Sequence, residues 1–107
     1  MSANFFITGR IGSINEINKG VRISIASDRR VKRDDGYERV TDWNTVSVFG
    51  ANADYAKKHL GKGDVIEAKG RVAEGNYEKD GEKRYVTNLT VEELERLSQA
   101  ESNRDDV

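Results

Sequence analysis

Apolar and polar residues alternate along much of the chain with a period of two. In the first such segment, Ile7 and Ile11 alternate with the polar Thr8 and Arg10. This pattern predicts β-strands, because successive side chains of a strand point to opposite faces. The strands predicted in this way cover about Phe5–Ile11, Val21–Ala26, Tyr37–Phe49, Asp64–Glu74 and Arg84–Val91.

The period changes between the third and fourth predicted strands. Over Ala51–Leu60 an apolar residue recurs at every third or fourth position, which predicts a short amphipathic helix. Asn52 is the predicted N-cap, and Gly61 suits the position just past the helix end.

Charged segments with Asp-Gly steps separate the other strands. We interpret Asp28–Arg39 as a long, mobile hairpin loop and Asn76–Lys83 as a second hairpin. A further helix is predicted over Glu92–Gln99, where Leu94 and Leu97 are three positions apart.

Three strands, a short helix and two more strands are the order expected of an OB-fold. We therefore predict an all-β domain with one short helix: a five-stranded Greek-key barrel with the helix between strands three and four. Residues 1–91 would form this domain, and residues 92–107 a short acidic helix and tail, partly disordered.

Composition excludes several kinds of chemistry. The 107 residues include no cysteine, which excludes disulfides, thiolate metal sites and cysteine nucleophiles. His59 is the only histidine, and no Gly-Lys-Ser/Thr ending marks a phosphate-binding loop. No apolar stretch is long enough to cross a bilayer. We expect no enzymatic activity, no metal, no cofactor and no membrane partner.

The formal net charge of −1 argues against a nucleic-acid partner, but the charge is unevenly distributed. Residues 1–91 hold 16 Lys/Arg against 13 Asp/Glu, and residues 92–107 hold 2 against 6. A mildly basic body with an acidic end is compatible with phosphate binding.

Three aromatic residues are candidates for stacking on bases: Trp43, Phe49 and Tyr77. Trp43 and Phe49 fall on the face of the third predicted strand opposite Val46 and Val48. The alternative is that each ring fills the barrel, and for Phe49 the two interpretations are about even. Tyr37 and Tyr85 are predicted to be structural first.

Basic residues lie among these aromatics and are candidates for phosphate contacts. Any one of them is more simply read as a solvated surface residue, so only the set predicts a groove that follows a nucleic-acid backbone. The candidates are Arg10, Arg22, Arg29, Arg30, Lys62, Lys69, Arg71 and Arg84.

Several short runs occur in a characteristic order. They are Thr41-Asp42-Trp43, Val46–Gly50, Leu60-Gly61-Lys62-Gly63-Asp64, Lys69-Gly70-Arg71 and Arg84-Tyr85-Val86-Thr87. From Asn4 to about Val91 the chain resembles the bacterial single-stranded DNA-binding protein family. The resemblance implies sequence-independent binding of single-stranded DNA in replication, recombination and repair, with Trp43, Phe49 and Tyr77 meeting the DNA. It also implies a homo-oligomer, most often a tetramer, and a cytoplasmic, nucleoid-associated location.

The chain also departs from that family. Val72–Asn76 replaces a basic run before the aromatic, and Ala51 and Asn44 stand where lysine and histidine are common. These changes predict lower affinity or a shorter site. The end, Arg104–Val107, lacks the long linker and Pro-Phe tip, which predicts a short member or a shortened chain and puts recruitment of repair and replication proteins through the tail in doubt. Two other functions stay open: an OB-fold replication or primosome accessory that binds proteins, and an RNA-binding module.

Overall fold

Five long strands and a ten-residue helix make up most of the computed structural model, which describes residues 1–103. The elements are β1 (Asn4–Ile17), β2 (Gly20–Arg33), β3 (Gly36–Phe49), α1 (Gly50–His59), β4 (Val65–Lys79), β5 (Glu82–Ser98) and a short 3₁₀ turn (Glu101–Asn103). The strands close into a barrel in the order β1-β2-β3-β5-β4. The predicted OB-fold, with its helix between β3 and β4, is confirmed. Within residues 1–103, no helix has the length and apolarity that a membrane span requires.

Strand β1 joins the two halves of the barrel. Its first half, Asn4–Arg10, pairs with β4, and from Arg10 onward it pairs with β2. Gly9 lies where the strand changes partner, and a Cβ there would collide with the carbonyl oxygen of Ala26. A single parallel pair, Ser47 with Thr90, connects β3 to β5 and closes the barrel.

The core of the barrel is entirely aliphatic. Its buried residues are Ile11, Val21, Ile23, Ile25, Val46, Val48, Ala53, Ala56, Leu60, Ile66, Ala68 and Val91. β-Branched residues fit the inner face of a sheet, and their burial supplies the main favourable term in folding. Within residues 1–103 no aromatic ring belongs to this buried set; Phe5 and Tyr55 pack against it, and the other six rings are exposed.

The two hairpins are longer and more regular than predicted. The β2–β3 ladder continues to Arg33 paired with Gly36, so the expected mobile loop over Asp28–Arg39 is wrong. We call the part of this hairpin over residues 28–41 the β2–β3 arm, and the corresponding outer part of the second hairpin the β4–β5 arm. The β2–β3 arm has few apolar residues, but cross-strand ion pairs and a complete backbone ladder order it. The β4–β5 ladder likewise runs to Lys79 and Glu82.

Two predicted helix features are also wrong. Helix α1 begins at Gly50 without a side-chain cap, and Asn52 instead donates from Nδ2 to the carbonyl oxygen of Glu92 at 3.2 Å. The segment predicted as a helix over Glu92–Gln99 continues β5 to Ser98, because Leu94 pairs with Ala68 and packs against the core. The predictions for Arg104–Val107 lie outside the described residues.

A buried carboxylate fixes the end of β5 to the turn before β4. Asp64 is fully buried, and its Oδ2 and Oδ1 accept hydrogen bonds from the backbone N–H groups of Gly61 (3.0 Å) and Ala100 (2.7 Å). The Arg96 guanidinium lies 3.8 Å from Oδ2. This contact holds the last residues of β5 against the barrel.

Candidate nucleic-acid interface

One face of the β2–β3 hairpin carries two of the three aromatic candidates together with two of the basic ones. Directly paired residues of neighbouring strands share a face, and every second residue follows them. Trp43 pairs with Ala26, so the register fixes the members of this outer face. We call it the Trp43 face: Tyr37, Arg39, Thr41, Trp43, Thr45, Ser47 and Phe49 of β3, with Arg22, Ser24, Ala26, Asp28, Arg30 and Lys32 of β2.

The Trp43 indole reaches from β3 across β2 to Gly12 of β1. A Cβ placed on Gly12 of β1 would be 2.5 Å from Cζ3 of Trp43 and 3.0 Å from the Ser24 hydroxyl oxygen. The ring therefore contacts the backbone of β1 at a position where any side chain larger than that of glycine would collide with it. Trp43 is nevertheless 62% exposed, so its outer side can receive another flat ring.

Phe49 and Tyr77 are also on the outside. Phe49 is 44% exposed and covers Gly20, where an added Cβ would be 2.7 Å from its Cδ1. Six residues of strand place it about 20 Å from Trp43 along the same face. Tyr77 is 51% exposed and lies on the β4–β5 arm, opposite Arg84.

Three further rings are exposed, although the sequence did not predict them as stacking candidates. Tyr37 and Tyr85, expected to be structural, are exposed on the two arms, and Phe6 is exposed on β1. Each has a cation near its ring centroid: Arg30 at 5.8 Å from Tyr37, Lys83 at 5.7 Å from Tyr85 and Lys69 at 5.4 Å from Phe6. Tyr37 is an even number of residues from Trp43, and this spacing could have placed it on the same face.

The structure brings together three of the predicted basic residues and adds two. Arg22 and Arg30 lie on the Trp43 face, and Arg10 of β1 pairs with Ala26, one strand beyond Trp43. Arg39 and Lys32 belong to the same face. Arg30 and Arg39 are directly opposite each other, and neither forms an ion pair with any described residue. Like charges in this position repel, and a bound anion would relieve the repulsion.

The other basic candidates lie elsewhere. Arg29 faces the opposite side of the arm, where its Nε donates to Asp42 Oδ2 at 2.7 Å. Arg71 and Arg84 share the outer face of the β4–β5 arm with Tyr77. Arg84 forms an exposed ion pair of 3.2 Å with Glu82.

Lys69 and Lys62 complete the set. Lys69 pairs with Phe6 on the outer face and lies 3.3 Å from Glu67 and 4.0 Å from Glu93. Exposed pairs of this kind contribute little to stability, so a phosphate can replace the carboxylates. Lys62 lies in the turn between α1 and β4, next to Gly63, whose N–H donates to the Ile11 carbonyl oxygen at 2.8 Å.

Comparison with known proteins decides the family. Residues 3–97 match the model of the single-strand binding protein family. The chain belongs to this family. It is 31% identical over 90 residues to the single-stranded DNA-binding protein of Staphylococcus epidermidis, covering 84% of this chain and 68% of that protein.

Other family members show the same relation. Single-stranded DNA-binding protein 3 of Clostridium acetobutylicum is 33% identical over 81 residues, covering 75% of this chain and 55% of that protein. This family member therefore spans about half to two thirds of the length of these relatives. In structure it is similar to a Plasmodium falciparum single-strand binding protein in complex with single-stranded DNA. The TM-score is 0.73 at 20% identity, covering 90% of this chain and 95% of that one.

An open depression adjoins the indole in this single-strand binding family member. Its volume is about 680 Å³, and its lining includes Thr8, Arg10, Asp28, Thr41 and Trp43. Ser27 also lines it, so the depression combines an aromatic wall, a cation, a carboxylate and three hydroxyls. Within residues 1–103, no group of three or more His, Cys, Asp or Glu side chains could hold a metal ion.

Proposed function

We propose that this protein is a non-enzymatic binder of single-stranded DNA that acts in replication, recombination and repair, largely without regard to base sequence. One observation carries the proposal. The barrel fills its core with aliphatic side chains and leaves Trp43, Phe49 and Tyr77 on the outside, where rings contribute nothing to the core but can stack on bases. Membership of the single-strand binding family supports the same function.

On the Trp43 face, aromatic rings would stack on bases and arginines would contact phosphates. Stacking of one base on Trp43 and of another on Phe49 would each contribute about 1–3 kcal/mol, and this stacking contribution tolerates any base because every base has a flat π face. Arg10, Arg22 and Arg30, with the additional Arg39, would contact the phosphates between and beside these bases.

The β4–β5 arm would extend the path. Tyr77 and Arg84 are direct cross-strand partners, and Arg71 is on the same face six residues along β4. This arrangement repeats the ring-and-cation pattern of the Trp43 face. Arg29, in contrast, has a carboxylate partner on the other face of its arm, so we leave it out of the proposed contacts.

Self-association is part of the proposal. The segment Asn4–Gly9 of β1 pairs with β4 along one edge, whereas pairing with β2 begins only at Arg10. Apart from the Thr8 carbonyl oxygen, which accepts a hydrogen bond from the Ser27 hydroxyl at 2.6 Å, this segment has no ladder partner on its β2 side among the described residues. A strand edge of this kind is a ready site for pairing with a second copy. We infer a homo-oligomer, most simply a tetramer, working on DNA in the bacterial cytoplasm and nucleoid.

Trp43 provides a direct test because it is the only tryptophan in the chain. Titration with an oligothymidylate at low salt should quench its fluorescence, and added salt should reverse the quenching as counterions compete for the phosphates. An unchanged emission at low salt would contradict stacking on Trp43. Competition by an RNA oligomer of equal length would show whether the site distinguishes the two nucleic acids, since the 2′-OH is the group that does so.

A further inference from the structure

Asp28 is the one carboxylate on the Trp43 face, and its position is unexpected. A negative charge repels phosphate, yet Asp28 lies on the same face as Arg22, Arg30 and Arg39. It forms no ion pair with any residue in the described range, although Arg30 and Arg39 line a small depression with it. The Asp28 carboxylate thus lies among arginines without a salt bridge that would occupy its oxygens.

The carboxylate is instead held in place by a hydroxyl. The Thr41 hydroxyl, directly opposite, donates to Asp28 Oδ1 at 2.7 Å. Among the described residues, none donates a hydrogen bond to the second oxygen, Oδ2. One oxygen thus fixes the orientation of the group, and the other remains an acceptor at the surface.

Asp28 is also close to where a stacked base would lie. It lines the depression beside Trp43, together with Arg10 and Thr8. Asp28 is the diagonal neighbour of Trp43, because Ala26 pairs with Trp43 and Asp28 is two residues further along β2. Diagonal neighbours are roughly 7–8 Å apart, which is within reach of a ring that extends over the indole.

A carboxylate oxygen accepts hydrogen bonds and donates none, and this decides which base edge it favours. Cytosine presents an amino group at C4, and Asp or Glu accepting from that amino group is an established pairing. Thymine presents a carbonyl oxygen at the same position, which would face the carboxylate with no proton between them, and its one remaining donor, N3–H, lies on the neighbouring ring atom.

We propose that Asp28 makes the nucleotide position on Trp43 selective for a base with an exocyclic amino group and against thymine. Arg10, on the far side of Ala26 from Trp43, would hold a phosphate of the same nucleotide. The inference rests on the proposed function, since it requires that DNA stacks on Trp43. Other positions along the path would remain indifferent to sequence.

The test compares two oligomers that differ only at the relevant edge. 5-Methylcytosine and thymine carry the same methyl group, and they differ in the C4 substituent and in the proton on N3. Dissociation constants for short single strands of each would be measured by anisotropy of an end label, at mildly alkaline pH where cytosine stays unprotonated. The readout is the ratio of the two constants, in which the shared contribution of the phosphates cancels.

The deciding variant is Asp28→Asn, which keeps the shape of the side chain, removes the charge and adds an N–H donor. Its ratio should shift toward thymine by about tenfold relative to the wild-type protein. Removal of the negative charge should in addition raise the affinity for both strands by a common factor, which cancels in the ratio. Asp35→Asn, in the turn of the same arm, removes the same charge outside the depression and should leave the ratio at its wild-type value.

Two results would overturn the inference, and they are distinguishable. If the wild-type protein and Asp28→Asn bind both oligomers with the same ratio, Asp28 does not read the base, while the proposed function stands. If the wild-type protein binds neither oligomer at low salt, the proposed function fails and this inference fails with it.

Discussion

At the residue scale, the position of Trp43 depends on a residue that has no side chain. In the sequence, a glycine at position 12 of a strand indicates only a bend or a close approach of another group, and it does not identify that group. The structure shows that the approaching group is the indole of Trp43, which arrives from two strands away. Sequence periodicity identifies which residues share a face of one strand, but it does not say which ring crosses to which neighbour.

Replacement of Trp43 should separate binding from stability. Trp43→Ala should weaken binding of an oligothymidylate by the value of one stacked base, about 1–3 kcal/mol. The free energy of unfolding should change little, because the ring is largely exposed and lies outside the core. Urea unfolding followed by circular dichroism and binding followed by anisotropy of a labelled strand would measure the two effects.

Val46→Ala is the matched control on the opposite face of β3. Val46 is fully buried, so its truncation should lower the free energy of unfolding by about 1–3 kcal/mol. Binding by the folded protein should be unchanged. If Trp43→Ala instead destabilised the protein and left affinity intact, the ring would be a structural element and the proposed stacking would be wrong.

At the element scale, the sequence predicts the order of the strands and the helix, and the bounds of α1 and β3 to within one residue, but β1, β2, β4 and β5 all extend well beyond their predicted ends. Alternation of apolar residues marks the strands wherever one face lies on the core, as at Ile23 and Val46. The arm beyond Asp28 has solvent on both faces, so no apolar period marks it as a strand. Its order comes from pairing between two segments, which a single sequence does not display. The last part of β5 was misread for a related reason: Leu94 and Leu97 fit a helical spacing, although only Leu94 packs against the core.

The buried Asp64 helps to fix this last part of β5, together with the hydrogen bond of 2.7 Å that Arg96 Nη1 donates to the His59 carbonyl oxygen. Asp64→Ala would leave the backbone N–H groups of Gly61 and Ala100 without their acceptor, and Arg96 without its counter-charge. We expect the free energy of unfolding to fall by about 2–4 kcal/mol, measured by urea denaturation. Asp54→Ala removes an exposed carboxylate from α1 and should change it by no more than about 0.5 kcal/mol. Equal effects of the two substitutions would show that the buried contact does not stabilise the fold.

At the scale of the whole molecule, net charge is a poor guide to the partner. The chain has a formal charge of −1, yet the structure sorts its charges by face. On the side of the β2–β3 arm opposite the Trp43 face, Arg29 lies 2.7 Å from an Asp42 carboxylate oxygen and Arg33 lies 2.7 Å from a Glu38 carboxylate oxygen. On the outer side, Arg30 and Arg39 face each other without an ion-pair partner among the described residues. Two arginines on one side of the arm are thus neutralised by carboxylates, and two on the other side keep their positive charge available to a bound anion.

This sorting predicts a difference that overall charge cannot explain. For single strands, the logarithm of affinity falls against the logarithm of salt concentration with a slope of about 0.7 for each phosphate neutralised. The double variant Arg30→Ala/Arg39→Ala should therefore lower the magnitude of the slope by about 1.4. Arg29→Ala/Arg33→Ala removes the same charge from the same arm but should leave the slope close to its wild-type value, because those arginines already have carboxylate partners. If the two double variants reduced the slope equally, the protein would attract DNA through its overall electrostatic field. The proposal that the phosphates follow the Trp43 face would then be wrong.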